Sequence, residues 1–317
     1  MPSPSPTISV VLTTRNRDAE LMEALSSLQH QTVPLHEVLV VDDGGSGSAR
    51  EAVAPFREPF KYLWQHNQGM QAARNTGAAA ATGDWIAFLD DDDIWEPNRH
   101  SLARRLMLNQ EIDLIAGNFR KFGHDWIETK GEFSKWPAEF WPVHLLEEGV
   151  QIVGRFPPHK IFPQHPFWPS TLIVKRSLFT RIGGWDTRMN GVPSEDFHFV
   201  YRAFREASLG LILEPTVRYR VHQGNAKRQQ RVALGRLQIF DEILANVETL
   251  ERERCRLLEK EPALLVDAIH AVRRLKDRDR EIQLSRRLLA CAWGTELQRL
   301  RLAARLAFMG MTRVMGR

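Results

Sequence analysis

Cysteine is nearly absent, Cys255 and Cys291 being the two in 317 residues. That excludes a disulfide framework, and the two thiols lack metal-ligand spacing, so a reducing compartment is expected. Long apolar runs are missing too. No segment reaches the ~18 uncharged apolar residues of a spanning helix, and the start, Met1-Pro-Ser-Pro-Ser-Pro6, has neither the basic region nor the apolar stretch of a secretory signal. The expectation is a cytoplasmic protein, not integral to a membrane. Nor is there a large surplus of either charge: 43 basic and 39 acidic residues leave +4 and a pI near 9.2. Bulk charge therefore gives no argument for nucleic acid as a partner. Internal repeats are absent, and the proline-serine start is the one biased tract. What the chain does have is apolar material, 43% of its residues, enough to fill a substantial core.

The first hundred residues alternate short β-branched runs with helical patterns. Ile8 to Thr13, Glu37 to Val41, Lys61 to Trp64 and Trp85 to Leu89 read as strands; Ala19 to Gln29, Gly69 to Ala81 and Asn98 to Leu108 read as helices. Strands and helices alternating at this spacing predict a parallel, doubly wound α/β sheet. From Lys135 to Pro169 prolines prevent long regular elements, while Trp136, Phe140, Trp141, Phe156, Phe162, Phe167 and Trp168 argue for a shaped loop rather than a solvated linker. Order resumes with a strand at Ser170 to Lys175, a Gly183-Gly184-Trp185 turn, a helix near Glu195 to Glu206 and a strand around Thr216 to Val221. Beyond about Asn225 the pattern is helical and charged. The expected division is a catalytic domain over 1–225, with halves of about 7–120 and 121–225, and a helical extension over 226–317.

Ligands of open α/β sheets bind beyond the carboxyl ends of the strands. Three clusters fall there: Thr13-Thr14-Arg15-Asn16-Arg17, Asp42-Asp43-Gly44-Gly45 and Asp90-Asp91-Asp92-Asp93. Successive carboxylates repel one another, and a hard divalent cation such as Mg²⁺ or Mn²⁺ relieves that cost. A solvated acidic turn opening a helix is the alternative. Asp42 and Asp43 suit contacts to a base or ribose, with glycine-rich turn chemistry as the alternative. Gly44-Gly45-Ser46-Gly47 does not have the spacing of a dinucleotide fingerprint.

Five segments in order, Ile8-Ser-Val-Val-Leu-Thr-Thr-Arg-Asn-Arg17, Val40-Val-Asp-Asp-Gly44, Ala73-Arg-Asn-Thr-Gly77, Trp85-Ile-Ala-Phe-Leu-Asp-Asp-Asp-Asp-Ile-Trp95 and Ser194-Glu-Asp196, resemble the motifs of family 2 glycosyltransferases over roughly residues 7 to 225. The resemblance implies a GT-A fold, a doubly wound mixed α/β sheet flanked by helices, here with a C-terminal helical extension. It implies that Thr13 and Asp43 contact the donor base, with Arg15 and Arg17 as further contacts to the donor nucleotide. It places ribose and metal roles on Asp90, Asp91 and Asp92, with Asp92 the direct ligand of Mn²⁺ or Mg²⁺. Asp93 is then expected to cap the next helix. Arg74 is a candidate contact to base or phosphate, a surface helix arginine being the alternative.

By the same resemblance Asp196 is the catalytic base, a helix N-cap pair being the alternative for Glu195-Asp196. His222 is a candidate second metal ligand, against the alternative of a structural histidine. Trp185 and Glu195 are placed on the acceptor side, with core packing the alternative for Trp185. The implied activity is inverting sugar transfer from a UDP-, GDP- or dTDP-sugar to a glycan or lipid-linked glycan, in polysaccharide or lipopolysaccharide assembly. Two rivals are a sugar-phosphate nucleotidyltransferase, which lacks its glycine-rich loop here, and a non-catalytic sugar-nucleotide-binding scaffold. Finally, Leu297, Leu300, Ala304, Phe308, Met311 and Met315 form a helical stripe apart from Arg299, Arg301, Arg305 and Arg313. Such a helix suits peripheral contact with the inner face of the cell membrane, or packing on the catalytic domain or a dimer partner.

Overall fold

The computed structural model describes residues 5–145, 148–222, 226–246 and 251–291. The chain divides into two compact units, one of Met1–Pro158, Pro166–Gly191 and His198–His222, the other of His159–His165, Val192–Phe197 and Gln223–Arg317.

Strands β1 (Ile8–Thr14), β2 (Glu37–Asp43), β3 (Phe60–Gln65), β4 (Trp85–Asp90), β5 (Ile94–Trp95), β6 (Leu114–Phe122), β7 (Val150–Arg155), β8 (Leu172–Lys175) and β9 (Ser208–Arg220) form the sheet of the first unit. Their order is β3-β2-β1-β4-β8-β6-β9-β5, with β7 also on β9. The strands from β1 to β4 are parallel, β8 is antiparallel to β4 and β6, and β5 and β7 are antiparallel to β9. The sheet is thus mixed. Its helices are α1 (Asp18–Gln29), α2 (Ser48–Val53), α3 (Met70–Ala80), α4 (Arg99–Met107), α5 (Arg176–Arg181) and α6 (Asp196–Glu206), the first two residues of α6 belonging to the second unit.

All seven residues of β1 are buried. A strand covered on both faces reads as a continuous apolar run rather than an alternation, which is why Ile8 to Leu12 stands out in the sequence. The alanine-rich α3 lies close on β1 and β2: a Cβ built on Gly77 would meet Val11 Cγ1 at 2.4 Å and Val41 Cγ2 at 3.0 Å. Small residues on this face let the helix approach the sheet.

Four strands differ from the sequence reading. β5, β6 and β7 are not expected from it, and β9 begins at Ser208, well before Thr216. Pro215 lies inside β9, and its pairing with β6 shifts register at Gly117, Asn118 and Phe119. The irregularity absorbs the residue that cannot donate to the ladder, and Asn118 Nδ2 donates to the Leu213 carbonyl at 2.7 Å to close the gap.

In the second unit α9 (Glu261–Arg274) packs against α7 (Ala226–Asn246), α8 (Glu251–Leu258) and α10 (Arg278–Ala290). Leu264, Leu265, Ala268, Ile269 and Val272 of α9 are buried, as are Ile239, Phe240 and Ile243 of α7. No helix among the described residues is long and apolar enough to cross a membrane. The stripe from Leu297 to Met315 lies outside the described residues.

Candidate active site

Because β1, β2 and β4 are parallel neighbours, the turns that follow them emerge at one end of the sheet. The acidic run after β4 is held there by donors from three other segments. Thr14 Oγ1 donates to Asp91 Oδ2 at 2.8 Å, and Arg17 Nη1 donates to Asp91 Oδ1 at 3.1 Å and Asp92 Oδ2 at 2.8 Å. Arg74 Nη2 donates to Asp90 Oδ1 at 2.7 Å. Its side chain is 2% exposed and lies 4.6 Å over the Trp185 ring, so it is not a surface helix arginine. From the end of β9, Arg220 Nε donates to the Asp92 carbonyl at 2.8 Å. Two residues on, His222 Nε2 lies 2.7 Å from Asp92 Oδ2. The sequence separation of this pair is 130 residues.

The four carboxylates are not equivalent. Burial pushes the Asp91 carboxyl up to about 6, with the Thr14 hydrogen bond and the Arg17 charge pulling the other way. Burial, and then Asp92 and Asp90, push Asp93 well above the ordinary carboxylate range. Asp93 does not cap the next helix, which corrects the expectation: α4 starts at Arg99 behind Asn98. Instead Asp93 Oδ1 accepts the Arg220 main-chain N–H at 2.9 Å, which pins the acidic turn to β9.

Thr13 is buried at the register position between Val41 and Asp90, and Arg15 is exposed on the following turn. Asp43, expected to read the base, is committed elsewhere. Its Oδ1 accepts from Gln65 Nε2 at 2.6 Å and Gln68 N at 2.9 Å, and its Oδ2 from Asn67 Nδ2 at 3.0 Å and Gly69 N at 2.8 Å. Four donors fill the lone-pair capacity of a carboxylate. Asp43 therefore latches the loop between β3 and α3. Asp42 is likewise occupied, by Gly45 N and the Tyr62 hydroxyl, each at 2.8 Å.

Trp185 is also corrected. The indole is 2% exposed, stacked on Phe199 with centroids 4.0 Å apart and edge-on to Phe88 at 5.3 Å. With Arg74 over the ring as well, it offers no face to a sugar. Glu195 is half-buried and follows Ser194, whose φ of 69° is unusual for a residue with a side chain. Asp196 opens α6 and is 3% exposed. In its unit His165 Nε2 stands 3.7 Å from Asp196 Oδ2.

Thr14 and Arg220 at the acidic turn, and His165 beside Asp196 in the second unit, are given no role by the sequence reading. For Thr14 a signal exists, because adjacent strand residues point to opposite faces and one of the two threonines that end β1 must turn away from its neighbour's partners. His165, within a proline-rich loop, has none.

The glycosyl transferase family 2 profile matches residues 9–168. The UDP-Glc:alpha-D-GlcNAc-diphosphoundecaprenol beta-1,3-glucosyltransferase WfgD of Escherichia coli is 33% identical over 125 residues, 39% of this chain and 49% of that enzyme. Another curated relative is matched over 34% of its own length. Among solved structures, S. aureus TarS in complex with UDP-GlcNAc superposes with a TM-score of 0.65 at 18% identity, over 90% of this chain and 81% of that one. The mannosyltransferase PcManGT from Pyrobaculum calidifontis, in complex with GDP-Man and Mn²⁺, gives 0.59 at 21% identity, over 99% of this chain and 82% of the other. These likenesses establish a GT-A fold, with its mixed sheet flanked by helices. With residues 9–168 of its 317 inside the family match, the chain belongs to glycosyl transferase family 2.

Proposed function

We propose that this protein transfers a sugar, with inversion, from a nucleoside-diphosphate sugar to an acceptor hydroxyl in the assembly of a cell-surface polysaccharide or lipopolysaccharide. The observation that carries the reading is the meeting of Asp92 and His222 at the carboxyl end of the sheet, 2.7 Å apart. Among the described residues no three His, Cys, Asp or Glu side chains converge as a closed metal cage would. Two protein ligands suit a cation that shares its remaining positions with phosphate and water. One carboxylate oxygen and one imidazole nitrogen fit Mn²⁺ better than Mg²⁺, which favours oxygen alone. Asp92 and His222 would hold the ion, which when bound offsets charge on the departing diphosphate.

The remaining roles fall to the chain's own groups. Thr14 and Arg17 fix the carboxylates of Asp91 and Asp92, and Arg74 fixes Asp90 for the ribose. Thr13 and Arg15 border the base. Asp196 accepts the acceptor hydroxyl's proton as that oxygen bonds to the anomeric carbon and the bond to the diphosphate breaks. General base assistance of this kind contributes about 10² to 10⁴ in rate. WfgD is named for a UDP-Glc donor and a diphosphoundecaprenol acceptor, and PcManGT was solved with GDP-Man and Mn²⁺. These names support UDP- or GDP-sugars ahead of dTDP-sugars, and a lipid-linked glycan met at the inner face of the membrane from the cytoplasm.

The test is a hydrolysis and transfer screen over UDP-, GDP- and dTDP-sugars with Mn²⁺ or Mg²⁺. Mn²⁺-dependent release of the nucleoside diphosphate is expected. Asp196→Asn should keep nucleotide binding and lose turnover, whereas Asp92→Asn and His222→Ala should weaken Mn²⁺-dependent nucleotide binding. Full turnover in Asp196→Asn sinks the assignment of the base. Donor binding without turnover on any acceptor would instead make the protein a scaffold, and pyrophosphate release from a nucleoside triphosphate and a sugar phosphate would make it a nucleotidyltransferase.

A further inference from the structure

Asp196 belongs to the unit formed by His159–His165, Val192–Phe197 and the helices that follow Gln223. At 3% exposure its carboxylate has lost nearly all its water. A carboxylate so placed persists as an anion only beside opposite charge or directed donors.

The unit supplies two groups from distant parts of the chain. The Arg236 guanidinium, on α7, lies 5.3 Å over the Phe197 ring; burial lowers it from its ordinary value, while the negative charges of Asp196 and of Asp267 on α9 pull the other way. His165 has its Nε2 at 3.7 Å from Asp196 Oδ2 and its ring centroid 4.0 Å from that of Phe197. Phe162 ties the cluster together, 5.5 Å from Phe197 and 5.3 Å from Phe240 of α7. These two polar groups cannot do the same job. Burial, and then the Arg236 charge, drive His165 well below the ordinary histidine range, so it is neutral. A neutral imidazole supplies shape and a dipole. Of these two groups Arg236 is the one with a charge to set against the carboxylate, and Asp267 competes for it.

We propose that Arg236 and His165 are positioning residues for Asp196, the α7 guanidinium keeping the carboxylate ionised and the neutral imidazole fixing its orientation. The helices after Gln223 then contribute to the chemical step. This inference rests on the reading of Asp196 as the base.

The test uses the full chain and follows nucleoside diphosphate release from UDP-glucose, UDP-N-acetylglucosamine and GDP-mannose with Mn²⁺ across pH. Arg236→Gln should lower kcat at least tenfold, leave the donor KM within twofold, and move the acid limb of the kcat profile up by about one pH unit, as expected for loss of a nearby opposite charge. Arg236→Lys should restore the limb. Asp267→Asn, which removes the competitor, should move it down. His165→Gln should lower kcat without moving the limb. A purely structural cluster would not produce opposite shifts from Arg236 and Asp267. Wild-type kcat and pH profile in a folded Arg236→Gln overturn the proposal, as do equal losses in Arg236→Gln and Arg236→Lys. If Arg236→Gln fails to fold, Asp267→Asn carries the test, and an unmoved limb there overturns it. An active Asp196→Asn in the same assay removes the base assignment itself, which distinguishes the two failures.

Discussion

Asp43→Asn separates a latch from a base contact without any ligand. In the folded protein each carboxylate oxygen takes one main-chain N–H, Gln68 N on Oδ1 and Gly69 N on Oδ2. An asparagine amide presents one oxygen and one NH₂ group, so whichever way it turns, one of these N–H groups faces a donor. Main-chain groups cannot flip to suit it. The side-chain donors adapt poorly too, since Gln65 Oε1 already accepts from Thr76 Oγ1 at 2.5 Å. Two hydrogen bonds to a charged acceptor are lost, each worth about 1.5–3 kcal/mol, with partial relief from relaxation and water. A net loss of about 2–4 kcal/mol is expected, which for a domain of this size lowers the melting temperature by roughly 5–15 °C. The assay is thermal unfolding of metal- and nucleotide-free protein, followed by circular dichroism. If Asp43→Asn melts with wild type yet loses tenfold or more in nucleotide affinity, the latch is wrong and Asp43 returns to the base pocket.

Glycine to alanine in a helix interior ordinarily stabilises by up to ~1 kcal/mol, but Gly77→Ala should destabilise by about 1–3 kcal/mol through its clash with Val11, measured by denaturant unfolding. Burial pushes the Glu37 carboxyl up, and bonds from Ser9, Thr82 and Lys61 outweigh it and hold it at about 2. A carboxyl lowered on folding stabilises fully above its unfolded value and loses that contribution as pH falls toward about 2. Glu37→Gln should therefore cost about 2–3 kcal/mol at pH 7 and flatten the pH dependence of unfolding between about pH 5 and 2; an unchanged slope would refute the assignment. Trp185→Phe should lower stability by about 1–3 kcal/mol and leave the acceptor KM within twofold. A large KM rise at unchanged stability would put the indole back beside the acceptor.

The parallel half of the sheet is legible because each strand is an apolar run closed by polar turn residues and followed by a helical pattern, as at Ile8 to Thr14 and Trp85 to Asp90. The mixed half, where β6 and β9 run parallel and β5, β7 and β8 antiparallel to their neighbours, is not, for local reasons. β6 carries Arg120-Lys121 near its end, β7 contains Gly154, and Glu214-Pro215 interrupts β9, so local preference and tertiary pairing disagree there. The acidic run is legible from its place after a buried strand. What it touches is not, since Asp92 meets His222 and Asp93 meets Arg220 only because β9 is threaded beside β6 and β5. Trp185 misleads for the opposite reason. An aromatic in a glycine turn looks accessible, and Phe88 and Phe199, which enclose it, come from separate elements.

Four consecutive aspartates suggest a mouth that would repel a doubly negative diphosphate. The side chains around them give a different field. Asp93 is driven toward its neutral form, while Arg17, Arg74 and Arg220 arrive from three separate segments with fixed positive charge. Much of the run's negative charge is thereby offset by guanidinium groups before any ion arrives. An anionic sugar donor of the kind proposed would then meet less repulsion than four bare carboxylates would raise. The arginines thus make the proposed cation site hospitable to phosphate.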